Sequence, residues 1–255
     1  EQDYQRAAEA YAAYGVDTGA ALKRLAQIPL SLHCWQGDDV RGFEVHDTPL
    51  DGGGILATGG YPGRARNPQE LRQDLDKAIS LIPGPSRVNL HAIYAETNGK
   101  SVGRDAQGPE HYTQWIAWAK NKKIGLDFNP SFFAHPKAAN SLTLTSPDPA
   151  TREYWIRHGE ASRRIASAMG AALGTPCVNN IWIPDGAKDT PYDRWGPRQR
   201  LADALDTIFA QAYPEGTLVD ALEGKLFGIG LEDFTAGSHD FYLGYCAAHR
   251  KTLCM

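Results

Sequence analysis

Strand-like and helix-like runs alternate along the chain, and this alternation constrains the fold more than any other feature. Short apolar runs typical of buried strands cover about 30–35, 88–94, 124–129 and 177–183, a fifth begins near 218, and 251–255 looks like the start of a sixth. Helix-like patterns separate these runs. Alternation of this kind indicates parallel strands that are joined by helical crossovers. The expected class is α/β, either a doubly wound open sheet or a (β/α)8 barrel.

The helical segments show capping signals and apolar spacing. One N-terminal helix is predicted over about 3–27, and another begins at Asn67, which can cap it, with Pro68 in the first turn. Further helices are predicted near 109–120, 148–173, 197–212 and 239–249, and the glycine-rich stretch 36–66 predicts a long loop. An open nucleotide-binding sheet usually carries GxGxxG or a P-loop after its first strand. Neither occurs, which favours the barrel.

One face of each predicted strand is apolar, and the other becomes polar toward the carboxyl end. Residues two apart share a face, which pairs Ser31 with His33, Asn89 with His91, Asp127 with Asn129, Asn180 with Trp182, and Glu223 with Lys225. In a barrel this face points inward, and its carboxyl end forms the active site. A buried charge is costly unless it is paired or bound. We therefore expect Glu223 and Lys225 to line the mouth of a pocket.

A structural explanation of the polar face competes with the functional one. The charges could form an ion-pair network that only closes the barrel interior. His33 could be a hydrogen-bonded structural group, and Asp127 and Asn129 could hold the loop that starts at Pro130. Alternatively, carboxylate and imidazole groups suit a divalent cation, and a nearby lysine could neutralise an oxyanion. No HExxH occurs, and the GxSxG string at 99–103 stands apart from the predicted strand 88–94 and helix 109–120 rather than in a tight elbow between them, so the residues by themselves name no substrate.

Composition and charge argue against several other classes of protein. The 255 residues carry a net charge of −4 without a block of like charges, which argues against a nucleic-acid arm or a basic membrane surface. No apolar run approaches the roughly 18 residues that span a bilayer, and residues 1–14 lack a signal-peptide core. The expected location is the cytoplasm. The four cysteines form no CxxC pair and are predicted to be buried thiols: Cys34, Cys177, Cys246 and Cys254.

Several long strings resemble those of bacterial L-rhamnose isomerases. They are LSLHCWQGDDVRGFE (30–44), NLHAIY (89–94), GLDFNPSFFAHP (125–136), NIWIPDG (180–186) and EGKLFGIG (223–230), together with TGGYPGRARNPQELR and ASRRIASAMGAALGTP. The likeness runs along nearly the whole chain. It implies a (β/α)8 barrel, a homotetramer, and interconversion of the aldose L-rhamnose with its ketose L-rhamnulose.

The resemblance also implies roles for four residues on the polar face. Glu223 matches a carboxylate that binds a metal ion, and Lys225 matches a lysine near the oxygen on C1 of the sugar. His91 matches a histidine that contacts the sugar, and Trp182 matches a tryptophan wall of the pocket. His91 and Lys225 are thus the expected catalytic residues. The family uses two divalent ions, typically Mn²⁺, with Zn²⁺, Co²⁺ or Mg²⁺ as substitutes.

The family pattern continues where this sequence stops. In that pattern the run that matches 253–255 is followed by an Asp-x-x-His metal pair, and further His and Asp ligands come later. We therefore expect one barrel domain over 1–255, incomplete at its C-terminus, with about five to six strands and an N-terminal helix. Glu223 is then the one recognised metal ligand in the chain, and the fragment by itself is expected to be inactive.

Other functions stay open at this point. Related metal-dependent barrels include sugar epimerases and endonucleases, although the low basic charge disfavours a nuclease. A truncated barrel could also bind sugar without turnover, or act only as an assembly partner or structural fragment. A product assay with L-rhamnose separates an isomerase from an epimerase, because only the isomerase makes a ketose.

Overall fold

The computed structural model describes residues 1–34, 42–44, 65–138, 140–225 and 233–254. The predicted loop over 36–66 lies largely outside the described residues, as do Trp35 and Met255. The α-helices are α1 (Gln2–Ala12), α2 (Thr18–Leu25), α3 (Pro68–Leu81), α4 (Thr113–Lys122), α5 (Pro149–Leu173), α6 (Trp195–Phe209) and α7 (His239–His249). The strands are β1 (Leu30–His33), β2 (Ser86–His91), β3 (Gly125–Asn129), β4 (Cys177–Ile181), β5 (Gly186–Ala187), β6 (Leu218–Glu223), β7 (Phe234–Thr235) and β8 (Thr252–Cys254).

Six of these strands form one parallel sheet whose spatial order follows the chain. The order is β1-β2-β3-β4-β6-β8, and each neighbouring pair is parallel. A doubly wound sheet reverses its strand order at a switch point. Here every new strand is added on the same side, as in a (β/α)8 barrel. The short strands β5 and β7 form a separate antiparallel ribbon that follows β4 and β6 in the chain.

The single N-terminal helix predicted over 3–27 is wrong, because the chain turns between α1 and α2. Gly15 lies in this turn with a φ of +75°, a left-handed conformation that a glycine adopts readily. The side chain of Asp17 then caps α2 by accepting a hydrogen bond from the backbone N–H of Ala20. The helical prediction for these residues is confirmed, but it gave no break between α1 and α2.

Three predicted strands end earlier than expected, and the first of them ends at His33. The second ends at His91, because residues 92–94 turn as a 3₁₀ helix. The fourth ends at Ile181, after which Trp182 pairs with Ser131 through one isolated bridge. Pro184 then follows, and proline lacks the N–H that a continuing strand would need.

Apolar side chains on the outward face of the sheet pack under the helices. β2 and β3 contribute to one cluster with α3 and α4, and β4 and β6 contribute to another with α6 and α7. α5 joins both clusters, because it contributes buried side chains to each, such as Met169 to the first and Trp155 to the second. All four cysteines are free thiols, and Cys34, Cys177 and Cys246 are buried as predicted, whereas Cys254 is half-buried. None of the described helices combines the length and apolarity needed to cross a bilayer.

Gly170 in α5 packs against backbone that precedes β6. A Cβ at this position would lie 1.9 Å from the carbonyl oxygen of Thr217, which already accepts a hydrogen bond from Cys177. We expect Gly170→Ala to destabilise the protein by about 1–3 kcal/mol, because the backbone must shift.

Gly244 in α7 is the matched control, because its Cβ would meet no atom within 4 Å. Gly244→Ala should be neutral or stabilising by up to about 1 kcal/mol, as helix propensity predicts. Urea unfolding measures both variants. Equal effects at the two positions would contradict the packing described for Gly170.

Candidate functional site

The strand register places the predicted site residues at the carboxyl end of the sheet. His33 lies opposite Asn89, and His91 lies opposite Asn129 on the next strand. On β4 and β6, Asn180 lies opposite Ala221, two residues before Glu223. Because residues two apart share a strand face, these side chains lie on the same inward side.

Aromatic rings form a continuous row across this end of the sheet. Ring centroids are 6.0 Å apart for His33 and His91, 5.9 Å for His91 and Phe133, and 5.9 Å for Phe133 and Trp182. The row ends with Lys225, whose Nζ lies 5.9 Å from the centre of the Trp182 ring. We call this row, from His33 to Lys225, the aromatic wall. Three of the four predicted site residues belong to it: His91, Trp182 and Lys225.

Glu223, the fourth predicted residue, ends β6 beside this wall. The amide Nδ2 of Asn180 donates a hydrogen bond of 2.5 Å to Oε2 of Glu223. Burial lowers the pKa of His33, while the negative charges of Glu223 and then Asp127 oppose that effect. The charge of Glu223 thus acts to raise the pKa of His33 at the far end of the row. The hydrogen bond from Asn180 fixes the orientation of the Glu223 carboxylate.

Lys225 follows the end of β6 and is buried, with only 3% of its surface exposed. Its Nζ donates a 2.7 Å hydrogen bond to the carbonyl oxygen of Pro184, and its backbone N–H donates to Gly237. A cavity of about 930 Å³ lies beside it, and of the four predicted residues only Lys225 lines this cavity. The other described lining residues are mostly polar or charged, among them Arg198, Asp233 and His239.

Asp127 has a structural role, although it shares the polar face. Arg87 donates to both of its carboxylate oxygens at 2.9 Å, and Ser31 Oγ donates at 2.7 Å. The backbone N–H of Val178 adds a further bond of 2.9 Å. Arg87 also donates to the carbonyl of Pro176, which precedes β4. For Asp127 the buried ion-pair network is the correct explanation, and it closes the amino-terminal half of the sheet's inner face.

Burial keeps His91 neutral. Loss of hydration, together with the nearby charges of His33 and Arg104, lowers the pKa of His91 to about 3. A neutral imidazole can donate a hydrogen bond through one nitrogen and accept one through the other. This pair of functions suits contact with groups that likewise donate and accept, such as hydroxyls.

His158 on α5 lies away from the wall and tests whether burial lowers the pKa of a histidine in this protein. It is fully buried, its Nδ1 bonds the carbonyl of Arg104 at 3.1 Å, and burial with the charge of Arg104 lowers its pKa to about 3. Below about pH 6.5 the unfolded histidine takes up a proton that the folded one does not. This contribution to stability is therefore complete above pH 6.5 and is lost as pH falls toward 3.

We expect His158→Asn to remove about 1.4 kcal/mol per pH unit from the pH dependence of the unfolding free energy below pH 6. The asparagine amide can still donate to the Arg104 carbonyl. Urea unfolding at pH 8, 6 and 5 measures the two slopes, with pH 8 as the reference at which both proteins lack a charge at position 158. Identical slopes would contradict a neutral, buried His158.

Two buried charged residues with several hydrogen bonds each were not predicted from the sequence. Asp185 is fully buried and accepts hydrogen bonds from the backbone N–H and hydroxyl of both Thr143 and Thr145. Burial raises the pKa of Asp185, and these four hydrogen bonds act against the rise. Arg104 is 1% exposed and binds Glu44 together with backbone carbonyls of 131–134. In the sequence, only the position of Asp185 in the turn after β4 points to a role for it, and nothing in the sequence points to Arg104.

Comparison with known proteins identifies the family of the chain. The family model for L-rhamnose isomerase (RhaA) matches residues 1–255. The chain belongs to the L-rhamnose isomerase family. It is 55% identical over 255 residues to the L-rhamnose isomerase of Yersinia pseudotuberculosis serotype IB (strain PB1/+), and 54% identical to that of Rhodopirellula baltica. All of this chain is covered, and it spans 60% and 59% of the length of these two L-rhamnose isomerases.

A solved structure shares the fold. The D-allulose 3-epimerase from Methylomonas sp., determined in complex with D-allulose, matches with a TM-score of 0.50 and 11% identity, over 88% of this chain and 60% of that chain. At this identity the match carries the fold alone. Together with the strand order it confirms the predicted barrel class, of which the described strands form a curled part.

Glu223 and Asn180 supply oxygen atoms of the kind that bind a hard divalent cation. Within the described ranges no group of three or more His, Cys, Asp or Glu side chains is placed to hold a metal ion. Glu223 offers a carboxylate, and buried Oδ1 atoms without a hydrogen-bond partner lie on the same face at Asn89, Asn129 and Asn180. Oxygen ligands are those that Mg²⁺ and Mn²⁺ prefer. Glu223 is therefore the residue to test as a ligand.

Proposed function

We propose that the protein is a metal-dependent aldose–ketose isomerase that interconverts L-rhamnose and L-rhamnulose. The observation that carries this proposal is the gathering of His91, Trp182, Lys225 and Glu223 at one end of the parallel sheet, in a chain of the L-rhamnose isomerase family. The carboxyl ends of parallel strands are where barrel enzymes hold their substrates.

The aromatic wall supplies the binding surface for the sugar. Phe133 and Trp182 meet edge to face, and their rings offer apolar contact to the C–H groups of a sugar ring. His91 touches Phe133 and is held neutral by burial. It is therefore proposed to bond sugar hydroxyls without adding charge.

Lys225 is the residue proposed to act at the oxygen on C1. Its Nζ is held by the carbonyl of Pro184, so it needs little rearrangement when negative charge develops on that oxygen. A preorganised donor in a water-poor site stabilises such charge more strongly than solvent does. This role accounts for a buried lysine at the end of β6.

Glu223 is proposed to hold a divalent cation. Mn²⁺ is the first candidate, with Zn²⁺, Co²⁺ and Mg²⁺ as substitutes, and the family resemblance adds a second ion. A bound ion of this kind polarises carbonyl and hydroxyl oxygens of the substrate. Asn180 orients the Glu223 carboxylate through its 2.5 Å hydrogen bond. A homotetramer in the cytoplasm, with no nucleic-acid or membrane partner, completes the proposal.

The experiment is a product assay on the full-length gene product that contains these residues. The protein is stripped of metal, Mn²⁺ is restored, L-rhamnose is added, and the sugar products are identified by NMR. We expect L-rhamnulose, and no ketose before Mn²⁺ is restored. An epimerised aldose would instead indicate an epimerase, and sugar binding without any product would indicate a non-catalytic barrel; either result overturns the proposal.

A further inference from the structure

One guanidinium group holds the segment that carries Phe133. Nη1 of Arg104 donates to the carbonyl oxygens of Ser131 at 2.5 Å and Phe133 at 2.6 Å. Nη2 donates to the carbonyl of Ala134 at 2.9 Å. Three of the four carbonyls in the stretch 131–134 thus converge on a single side chain that is almost fully buried.

The remaining donors of Arg104 bind Glu44. Nε donates to Oε1 at 2.8 Å, and Nη2 donates to Oε2 at 2.7 Å. Arginine has five N–H donors in a rigid plane, and all five have an acceptor here. The paired carboxylate also neutralises the charge, so the guanidinium can remain buried at low cost. A lysine in its place has three donors without this planar geometry.

The segment that Arg104 binds touches two predicted site residues. Ser131 pairs with Trp182 through a β-bridge, and the ring of Phe133 contacts both His91 and Trp182. Ala134 has a φ of +48°, a left-handed conformation that costs energy for a residue with a Cβ. The hydrogen bond to its carbonyl helps to maintain this conformation, which turns the chain immediately after Phe133.

We propose that Arg104 is a positioning residue for the pocket, and that it sets the wall against which the substrate packs by fixing Phe133 between His91 and Trp182. The identity of the substrate as a sugar rests on the proposed function. The effect of Arg104 on the position of the aromatic wall does not depend on the proposed function. Arg104 acts through the backbone of the 131–134 segment, since its donors are all taken by Glu44 and by these carbonyls.

Arg87 is a matched control for a purely structural loss. Like Arg104, it is an arginine with several acceptors, and it donates to Asp127, Thr175 and the carbonyls of Leu126 and Pro176. These acceptors lie toward the amino end of the sheet, away from the aromatic wall. Arg87→Lys should therefore lower stability while leaving the wall in place.

The test uses the full-length gene product labelled with 5-fluorotryptophan. The fluorine resonance of Trp182 is assigned with a Trp182→Phe variant, and spectra and kinetics are recorded well below the melting temperature. We expect Arg104→Lys to shift or broaden this resonance and to raise KM for L-rhamnose about tenfold, with kcat within about threefold, because a misplaced wall weakens binding of substrate and transition state alike. Arg87→Lys should change neither the resonance nor KM.

A second variant covers the case in which Arg104→Lys does not fold. Glu44→Gln keeps the three carbonyl contacts and weakens the ion pair, so it should change the resonance and KM in the same direction by a smaller amount. An unchanged Trp182 resonance in the folded variants, or an equal change in Arg87→Lys, would overturn the positioning role. Absence of L-rhamnose turnover in the unmutated protein would overturn the proposed function instead, and the fluorine spectra would still decide the role of Arg104.

Discussion

Glu223→Gln is expected to abolish divalent-cation affinity and turnover together. Glutamine has the size of glutamate and can still accept the hydrogen bond from Asn180 through its amide oxygen. The substitution therefore removes the negative charge and leaves the shape of the end of β6 unchanged. Loss of residues that only support a metal ligand typically costs 10–100-fold in affinity, so loss of a ligand itself should weaken Mn²⁺ binding by more than about 100-fold.

Titration calorimetry with Mn²⁺ and a ketose assay measure the two effects on the full-length gene product. Glu153→Gln is the matched control, because Glu153 is an exposed carboxylate on α5 and should leave both quantities unchanged. Retention of cation binding and turnover in Glu223→Gln would refute the assignment of Glu223 as a ligand.

Lys225→Met is expected to lower kcat by about 10²–10³-fold, the usual effect of removing one preorganised donor from a site where charge develops. Methionine is apolar and similar in length, so the buried position stays filled. The carbonyl of Pro184 loses its partner, which should reduce stability only modestly.

Lys251→Met is the control for this lysine. Nζ of Lys251 pairs with Asp220 at 3.0 Å, and Arg163 binds the same carboxylate. These groups join β6 to the outer helices, on the opposite face from Glu223. Steady-state kinetics and circular dichroism of both variants separate chemistry from folding. A normal rate in Lys225→Met would mean that the lysine is only structural.

The sheet and its inward polar face could be predicted because both follow from local periodicity. Alternation at period two places His91, Trp182 and Glu223 on one side of their strands, and parallel strands bring their carboxyl ends to the same edge. The same reasoning could not distinguish Asp127 from Glu223. That distinction depends on Arg87, which lies 40 positions away in the chain and donates to Asp127.

Arg104 and Asp185 could not be predicted, because their partners carry no sequence signal. Arg104 binds backbone carbonyls about 30 positions away, and every residue has such a carbonyl. Asp185 binds Thr143 and Thr145 across about 40 positions, through a loop whose path depends on the completed fold. The roles assigned to His91 and Lys225 came from family resemblance, whereas their positions came from the strands.

Anomalous diffraction from crystals of the full-length gene product, grown with Mn²⁺ and L-rhamnose, tests the central claim most directly. We predict a manganese peak about 2.0–2.3 Å from a carboxylate oxygen of Glu223, and a sugar oxygen within hydrogen-bond distance of Lys225 Nζ. A fully occupied manganese peak elsewhere, or a sugar bound away from Trp182 and Lys225, would contradict the account.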